Sequence, residues 1–265
     1  PGKCPAERNE TIVVETKLPA DIEDGRYLCF RSAKQDMRFF IDGQLRKEYS
    51  TEGSRLFGRM SAAAYIFLEI GAEDAQKTLR VEMRTDSSYS GVFYAVYYGN
   101  PMGVWKYFFQ QLGLELIVAF VTLILSIIAI IGSVTLRFCY HRKVALEYLG
   151  WGILVAAVWL ITNSTFRQLI FPNLSIINDI TFLMIMLLSL PYLLYMDQIQ
   201  KGRYSRAYQW MESIIIFNFF VCSALHMTGI CDFTDTIIYV SAFCIFSIAL
   251  IIVTIFLDLR KGMVR

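Results

Sequence analysis

Histidine is nearly absent from this chain: His141 and His226 are the only two among 265 residues. No H-x-x-x-H or HExxH spacing occurs, and the six cysteines contain no C-x-x-C pair, so the chain has no metal signature. Such sites need ligands spaced by one helical or knuckle turn. GxSxG, a Walker loop and an intramembrane pair of aspartates are also missing, and with them the catalytic constellations that would mark an enzyme. The first residues, "PGKCPAERNE", hold no apolar core of a signal peptide, so export of this end would require an upstream leader or helix, and we expect the chain to have been trimmed there. Charge is scarce as well: 18% of residues are charged and 55% hydrophobic, with a mean hydropathy of +0.46. Soluble domains carry about 25% charged residues, so this balance points to a membrane.

What the chain does have is long apolar runs. Five uncharged stretches follow one another: Leu116–Leu136, Tyr148–Phe166, Ile180–Met196, Ser213–Cys231 and Thr236–Leu257. A helix needs roughly 17–25 apolar residues to cross a bilayer, and each stretch meets that requirement. Arg137, Arg142 and Lys143 lie in the first connection, Lys201, Arg203 and Arg206 in the third, and Arg260, Lys261 and Arg265 after the last run. The second connection holds only Arg167, and the fourth holds Asp232 and Asp235 with no base. Basic residues are retained on the cytoplasmic side, so the expected topology places the N-terminal domain outside and the C-terminus inside.

Residues 1–105 read as a small β-sandwich or jelly roll. In "DMRFFIDGQLRKEY" Met37, Phe39 and Ile41 share one face, and Asp42-Gly43 supplies the positive-φ pair of a tight hairpin. "KTLRVEMRT" repeats the alternation, with Leu79, Val81 and Met83 inward. "TIVVETK", "RYLCFRS", "AYIFLEI" and "GVFYAVYYG" supply further strands. The expected organisation is therefore an extracytoplasmic β-domain at 1–105, a five-helix transmembrane bundle at 106–257 and a cytoplasmic loop or tail at 258–265.

Candidate functional residues are few. Glu115, Asn163, Asp179 and His226, with Asn178 nearby in sequence, should cluster toward the outer leaflet, where they either line a shallow pocket beneath the β-domain or are ordinary polar groups at helix ends. His226 is either functional or a helix-packing hydrogen-bond partner, and His141 is one more base at the inner face. The aromatic strand with Phe93, Tyr94, Tyr97 and Tyr98 either offers a sugar-stacking face through Tyr94 and Tyr98 or packs into the core. Cys4 and Cys29 permit a disulfide, although Cys29 also fits a core position. Cys222 and Cys244 read as small apolar fillers. Pro191 should bend the third span.

"LCFRSAKQDMRFFIDGQLRKEYS", "RLFGRM", "KTLRVEM" and "YYG" resemble the outer β-domain of bacterial membrane-bound GGDEF diguanylate cyclases of Gram-positive anaerobes. These are related to the seven-transmembrane receptors with diverse intracellular signalling modules. "EYLGWGILVAAVWLITNS" and "DLRKGM" are similar to the same group, and the resemblance runs from about residue 25 to the end. It implies a jelly roll akin to carbohydrate-binding modules, seven spans and a cytoplasmic GGDEF domain that makes cyclic di-GMP from two GTP as a homodimer. This chain has no GGDEF motif and five spans rather than seven, so the reading is of a bundle cut from seven, with "LDLRKGMVR" as a severed intracellular loop. The expected function is a transmembrane signal receptor of a bacterial plasma membrane. It would be no enzyme in itself, would bind an unidentified small-molecule or carbohydrate ligand, and would need neither cofactor nor nucleic acid. A transporter or channel-like protein with an outer β-domain is the alternative, but the span centres Ile128, Ala156, Leu187, Val221 and Phe246 are apolar where it would need polar groups.

Overall fold

A computed structural model of the chain describes residues 2–3, 7–59, 61–87, 89–140 and 145–260. His141, Arg142, Lys143, Cys4, Lys261 and Arg265 lie outside the described residues, and so does the expected Cys4–Cys29 disulfide. The chain forms two compact units. The first, the β-unit, joins Pro1–Leu114 with the connections Thr165–Asn178 and Thr228–Asp235. The second, the helical unit, comprises Glu115–Ser164, Asp179–Met227 and Thr236–Arg265.

The β-unit is sandwich-like. Its strands are β1 (Gly2–Lys3), β2 (Ile12–Lys17), β3 (Arg26–Arg31), β4 (Asp36–Ile41), β5 (Gln44–Tyr49), β6 (Tyr65–Ile70), β7 (Thr78–Arg84), β8 (Val92–Phe93) and β9 (Tyr97–Gly99). They pair antiparallel as β2-β7-β4-β5, β6-β3-β9 and β1-β8. Strict alternation decides which face turns inward: Met37, Phe39 and Ile41 of β4 and Leu79, Val81 and Met83 of β7 are all buried. They meet Phe30, Ile66, Leu68 and Ile70 from the other sheet in one core. Asp42 (φ 47°) and Gly43 (φ 79°) close the β4–β5 hairpin, both in the left-handed region that a two-residue primed turn demands. The aromatic stretch 91–99 is not a single strand. Val92–Phe93 pairs with β1 and Tyr97–Gly99 with β3, and Tyr94 lies between them.

Helix α1 (Pro101–Tyr140) begins well before the apolar run at Leu116. Asn100 caps it, its Oδ1 accepting the Gly103 N–H at 2.7 Å, and Pro101 follows where a missing N–H costs nothing. This first part is amphipathic for a tertiary reason. Trp105 and Phe108 pack against Tyr65, Phe67 and Tyr97 of the three-stranded sheet, and Phe109 stacks on Phe166 at 4.2 Å between ring centroids.

The helical unit holds the rest of α1 with α2 (Leu146–Asn163), α4 (Leu174–Leu187), α5 (Leu190–Ile199), α6 (Ser205–Met227) and α7 (Phe233–Arg260), some of which begin in the β-unit's connections. A single turn, α3 (Arg167–Ile170), sits in one of those connections. Five segments are long and apolar enough to cross a membrane: Pro101–Cys139, Leu146–Asn163, Leu174–Ile199, Ser205–Met227 and Phe233–Arg260. The third is broken at Leu188–Ser189, just ahead of Pro191, whose ring displaces the carbonyl four residues back and whose nitrogen cannot donate. Small residues on α2 allow close packing: a Cβ at Gly150 would meet Ile130 Cγ1 at 2.9 Å, and one at Gly152 would meet the Tyr192 ring at 3.1 Å.

Candidate functional site

One end of the β-unit is lined by polar side chains instead of hydrocarbon. Ser32, Gln35, Thr51, Ser61, Thr85, Ser87 and Ser90 are all buried there or close by. Burying hydroxyls costs free energy unless each finds a partner, and here they find one another and the main chain. Ser32 Oγ donates to Ala62 O (3.3 Å) and accepts the Ala64 N–H (2.9 Å). Ser61 Oγ accepts the Thr51 N–H at 3.0 Å and donates to Asp36. Thr85 Oγ1 donates to Lys34 O at 3.0 Å, and Tyr49 Oη donates to Ala62 O at 2.7 Å.

The two connections within this unit grip that end through charged and amide side chains. Arg167, buried on α3, donates from Nη2 to Ala63 O at 2.7 Å. Its neighbour Gln168 accepts the Tyr65 N–H (2.7 Å) and donates to Tyr65 O (3.2 Å), completing the free edge of β6 as a neighbouring strand would. Asn173 donates to Ser54 O at 3.2 Å. On the other connection Asp232, 2% exposed, accepts the Arg59 N–H through Oδ1 (3.0 Å) and Oδ2 (3.3 Å). The Arg59 guanidinium donates to Ile230 O at 3.2 Å and pairs with Asp86 at 3.0 Å, while Arg8 pairs with Asp235 at 2.8 Å. We call this set of contacts the clasp.

Positive charge concentrates beside it. Burial first, then the Arg167 cation and that of Arg31, pull the Lys34 ammonium from its usual range down to about 7, with the Asp232 carboxylate acting the other way. Arg167 is likewise lowered, by burial first and with Arg31 adding to the effect. Tyr49 is raised, mainly by burial, against the nearby Arg167. Arg31 lies 4.6 Å over the Tyr94 ring and Lys34 lies 5.1 Å over the Tyr89 ring. Burial pushes the Cys29 thiol up to about 12, which makes it an inert core side chain.

The residues singled out by sequence fall in several places. Tyr94 stands beside Arg31, at the polar end. Tyr98 is half exposed on β9, with Arg26 6.0 Å from its ring. In the helical unit Asp179 and His226 meet, Oδ1 to Nε2 at 3.3 Å, with His226 buried. Glu115 and Asn163 are exposed, and Asn178 is buried in the β-unit. Sequence reasoning missed Arg8, Arg59, Gln168 and the clasp roles of Arg167, Asp232 and Asp235. The one available signal was that Arg167 and the two aspartates stood alone in otherwise uncharged connections. No cluster of three metal-ligating side chains occurs among the described residues. An apolar cavity of about 410 Å³ in the helical unit is walled by Leu149, Tyr192, Met196, Cys244, Ile248 and Ile252, among others.

Fold and composition define a multi-pass α-helical membrane protein with an N-terminal β-sandwich-like unit. No known protein family, no curated protein and no solved structure matches the chain.

Proposed function

We propose that the chain is the sensory part of a transmembrane receptor. Its β-unit, a jelly roll facing the outside of a bacterial plasma membrane, takes up a ligand. The helices relay the event to a cytoplasmic output, by resemblance a GGDEF diguanylate cyclase working as a homodimer in a longer seven-span protein. The observation that carries this reading is the clasp. Arg167, Gln168 and Asn173 on one connection, and Asp232 and Asp235 on the other, bond the β-unit to segments that are covalently continuous with four of the five spans. A ligand that binds one arrangement of the clasp better than another would shift the population of helix arrangements by that difference in affinity.

The test uses the full chain in lipid nanodiscs, with its native cysteines replaced and spin labels at positions 201 and 260. Loosening the clasp with Asp232→Ala plus Gln168→Ala, which removes the acceptor of the Arg59 main-chain N–H and both side-chain bonds to Tyr65, should shift or broaden the distance distribution between the labels. A distribution identical to that of the intact clasp would overturn the relay. Orientation is checked separately: a cysteine at position 53 should label from outside the cell and one at position 201 only from inside.

A further inference from the structure

We propose that the loop 54–59 of the β-unit is a membrane-docking loop, with Leu56 and Phe57 inserted into the lipid leaflet on the β-unit's side. The proposal needs the spans alone and not the receptor reading, and it names the bilayer itself as a partner of the β-unit.

Two fixed points bring this loop to the bilayer. At its start Ser54 O accepts a hydrogen bond from Asn173 Nδ2 at 3.2 Å, and Asn173 immediately precedes the third span at Leu174. At its end Arg59 donates its main-chain N–H to Asp232, which immediately precedes the fifth span, and its guanidinium to Ile230 O at 3.2 Å. Ile230 follows the end of the fourth span at Met227 and precedes the start of the fifth at Phe233, with three residues' reach to either. Three residues extend at most about 11 Å, so this carbonyl stays close to the membrane surface. The headgroup layer on each face of a bilayer is about 5–8 Å deep, comparable with that reach. Positions 54 and 59 are therefore held at the level where two connections turn back into lipid.

Between the fixed points the loop offers hydrocarbon. Leu56 is 65% exposed, the most of any large apolar side chain described ahead of α1, and Phe57 is 42% exposed. A lone exposed leucine is ordinary surface, and Leu45 on β5, 53% exposed, is one. Adjacent Leu and Phe on a loop held beside two spans are a different case, because what they meet there is lipid. The connections that hold the loop expose apolar side chains as well, Leu169, Ile170 and Ile230. The loop is also built to a fixed shape. A 3-10 turn at Glu52–Ser54 leads into it, closed by the Ser54 N–H on Thr51 O at 3.0 Å, and Gly58 (φ 74°) supplies a left-handed residue just before the second fixed point.

Charge contributes little to this docking. The depression of about 400 Å³ beside the two side chains is lined by Glu52 and Arg55, one charge of each sign, and the Arg59 cation is paired with Asp86 at 3.0 Å. Insertion driven by apolar surface should therefore be insensitive to salt and to anionic lipid, unlike the binding of a basic patch.

The experiment uses the full chain, native cysteines replaced, in nanodiscs of phosphatidylcholine and of its mixture with phosphatidylglycerol. A nitroxide is attached at Leu56→Cys, at Phe57→Cys or, as control, at Leu45→Cys. Its collisions with oxygen and with a neutral nickel chelate are measured by power saturation. Oxygen concentrates in hydrocarbon, the chelate stays in water, and a protein contact excludes both, so the two accessibilities separate lipid, water and protein as the occupant. Positions 56 and 57 should show high oxygen and low nickel access, and position 45 high nickel access, in both lipid mixtures and at high salt. High nickel access at 56 and 57 would overturn the proposal. Low access to both probes would overturn it too, by placing a second copy or another protein there. Leu56→Asp, a change at an exposed side chain that leaves the core intact, should raise nickel access at position 57 about tenfold, the factor for losing the burial of one apolar side chain. A rise of less than about twofold, or protection lost at high salt, would equally count against apolar insertion and overturn the proposal. None of these readings uses the distance between labels at 201 and 260, so failure here and failure of the relay are distinguishable.

Discussion

Replacing Asp232 by alanine should loosen the contact between Arg59 and the connection that holds residues 230–235, by an amount the geometry sets. The Asp232 carboxylate accepts the Arg59 N–H, with Oδ1 at 3.0 Å and Oδ2 at 3.3 Å, so the substitution deletes at least this charge-assisted bond. Such bonds contribute about 1.5–3 kcal/mol, and the Arg59 N–H is only part-buried, so water recovers some of the loss. The expected cost is therefore about 2 kcal/mol. Arg59–Asp86 and Arg8–Asp235 survive, so the connection should open locally without detaching. Hydrogen exchange on the full chain in nanodiscs measures this directly, at the Arg59 amide and at the Asp235 amide, which bonds Asp232 O at 2.9 Å. A loss of 2 kcal/mol raises the frequency of local opening by about thirtyfold. Asp232→Asn retains an oxygen acceptor and should cost about half as much. Exchange within twofold of the native chain for Asp232→Ala would refute the assigned role. Equal damage from Asn and Ala would show that charge, and not the acceptor, closes the contact.

Gln168→Leu removes both side-chain bonds to Tyr65 and leaves the edge of β6 open; it should cost about 1–3 kcal/mol, seen as lost protection of the Tyr65 amide while the Phe30 and Leu68 amides stay protected. Gly152→Leu drives a side chain into the Tyr192 ring and should destabilise the helical unit by about 1–3 kcal/mol, lowering its unfolding midpoint in detergent and leaving β-unit exchange unchanged. Lys34 titrates at about 7 when folded and near 10.4 when unfolded, so between those values the unfolded chain binds more protons. Its contribution therefore makes the β-unit more stable as pH rises from about 7 toward 10, and flat below 7. Lys34→Gln should flatten that slope in a pH series of exchange-derived stabilities, whereas an unchanged slope would assign it to other groups.

The parts of this fold legible in sequence are those written in local periodicity. Met37, Phe39 and Ile41 could be assigned inward because a strand turns alternate side chains to one face, and the positive φ of Asp42 and Gly43 follows from the same stretch. The five spans were legible because bilayer thickness is a length that apolar runs must match. Where a partner distant in sequence decides, the pattern misleads. Residues 91–99 alternate like one strand, yet β8 takes its hydrogen bonds from Gly2–Lys3 and β9 from β3. The start of α1 was hidden for a related reason. Trp105 and Phe108 are apolar because they cover a sheet, whereas the search for spans asks only what faces lipid.

The clasp shows the same limit most clearly, because its residues were seen and read for something else. Asp232, Asp235 and Arg167 entered the sequence reading as signs of which side of a membrane a connection faces. A charge in a short connection answers that question by its sign alone, and sign is visible without any partner. What it bonds to is set by chain closure over long separations: 173 residues between Arg59 and Asp232, 227 between Arg8 and Asp235, 104 between Ala63 and Arg167. No periodicity encodes such pairs. Yet the two readings constrain one another. A lone carboxylate that served only to mark a membrane side would remain in water, since burying it without partners would cost several kcal/mol. Asp232 is 2% exposed, so whatever its sign contributes to orientation, the folded chain must also supply it with donors, and Arg59 does so. Isolated charges in the connections between spans are thus the positions where a sequence reading should look for a buried partner, in addition to counting bases.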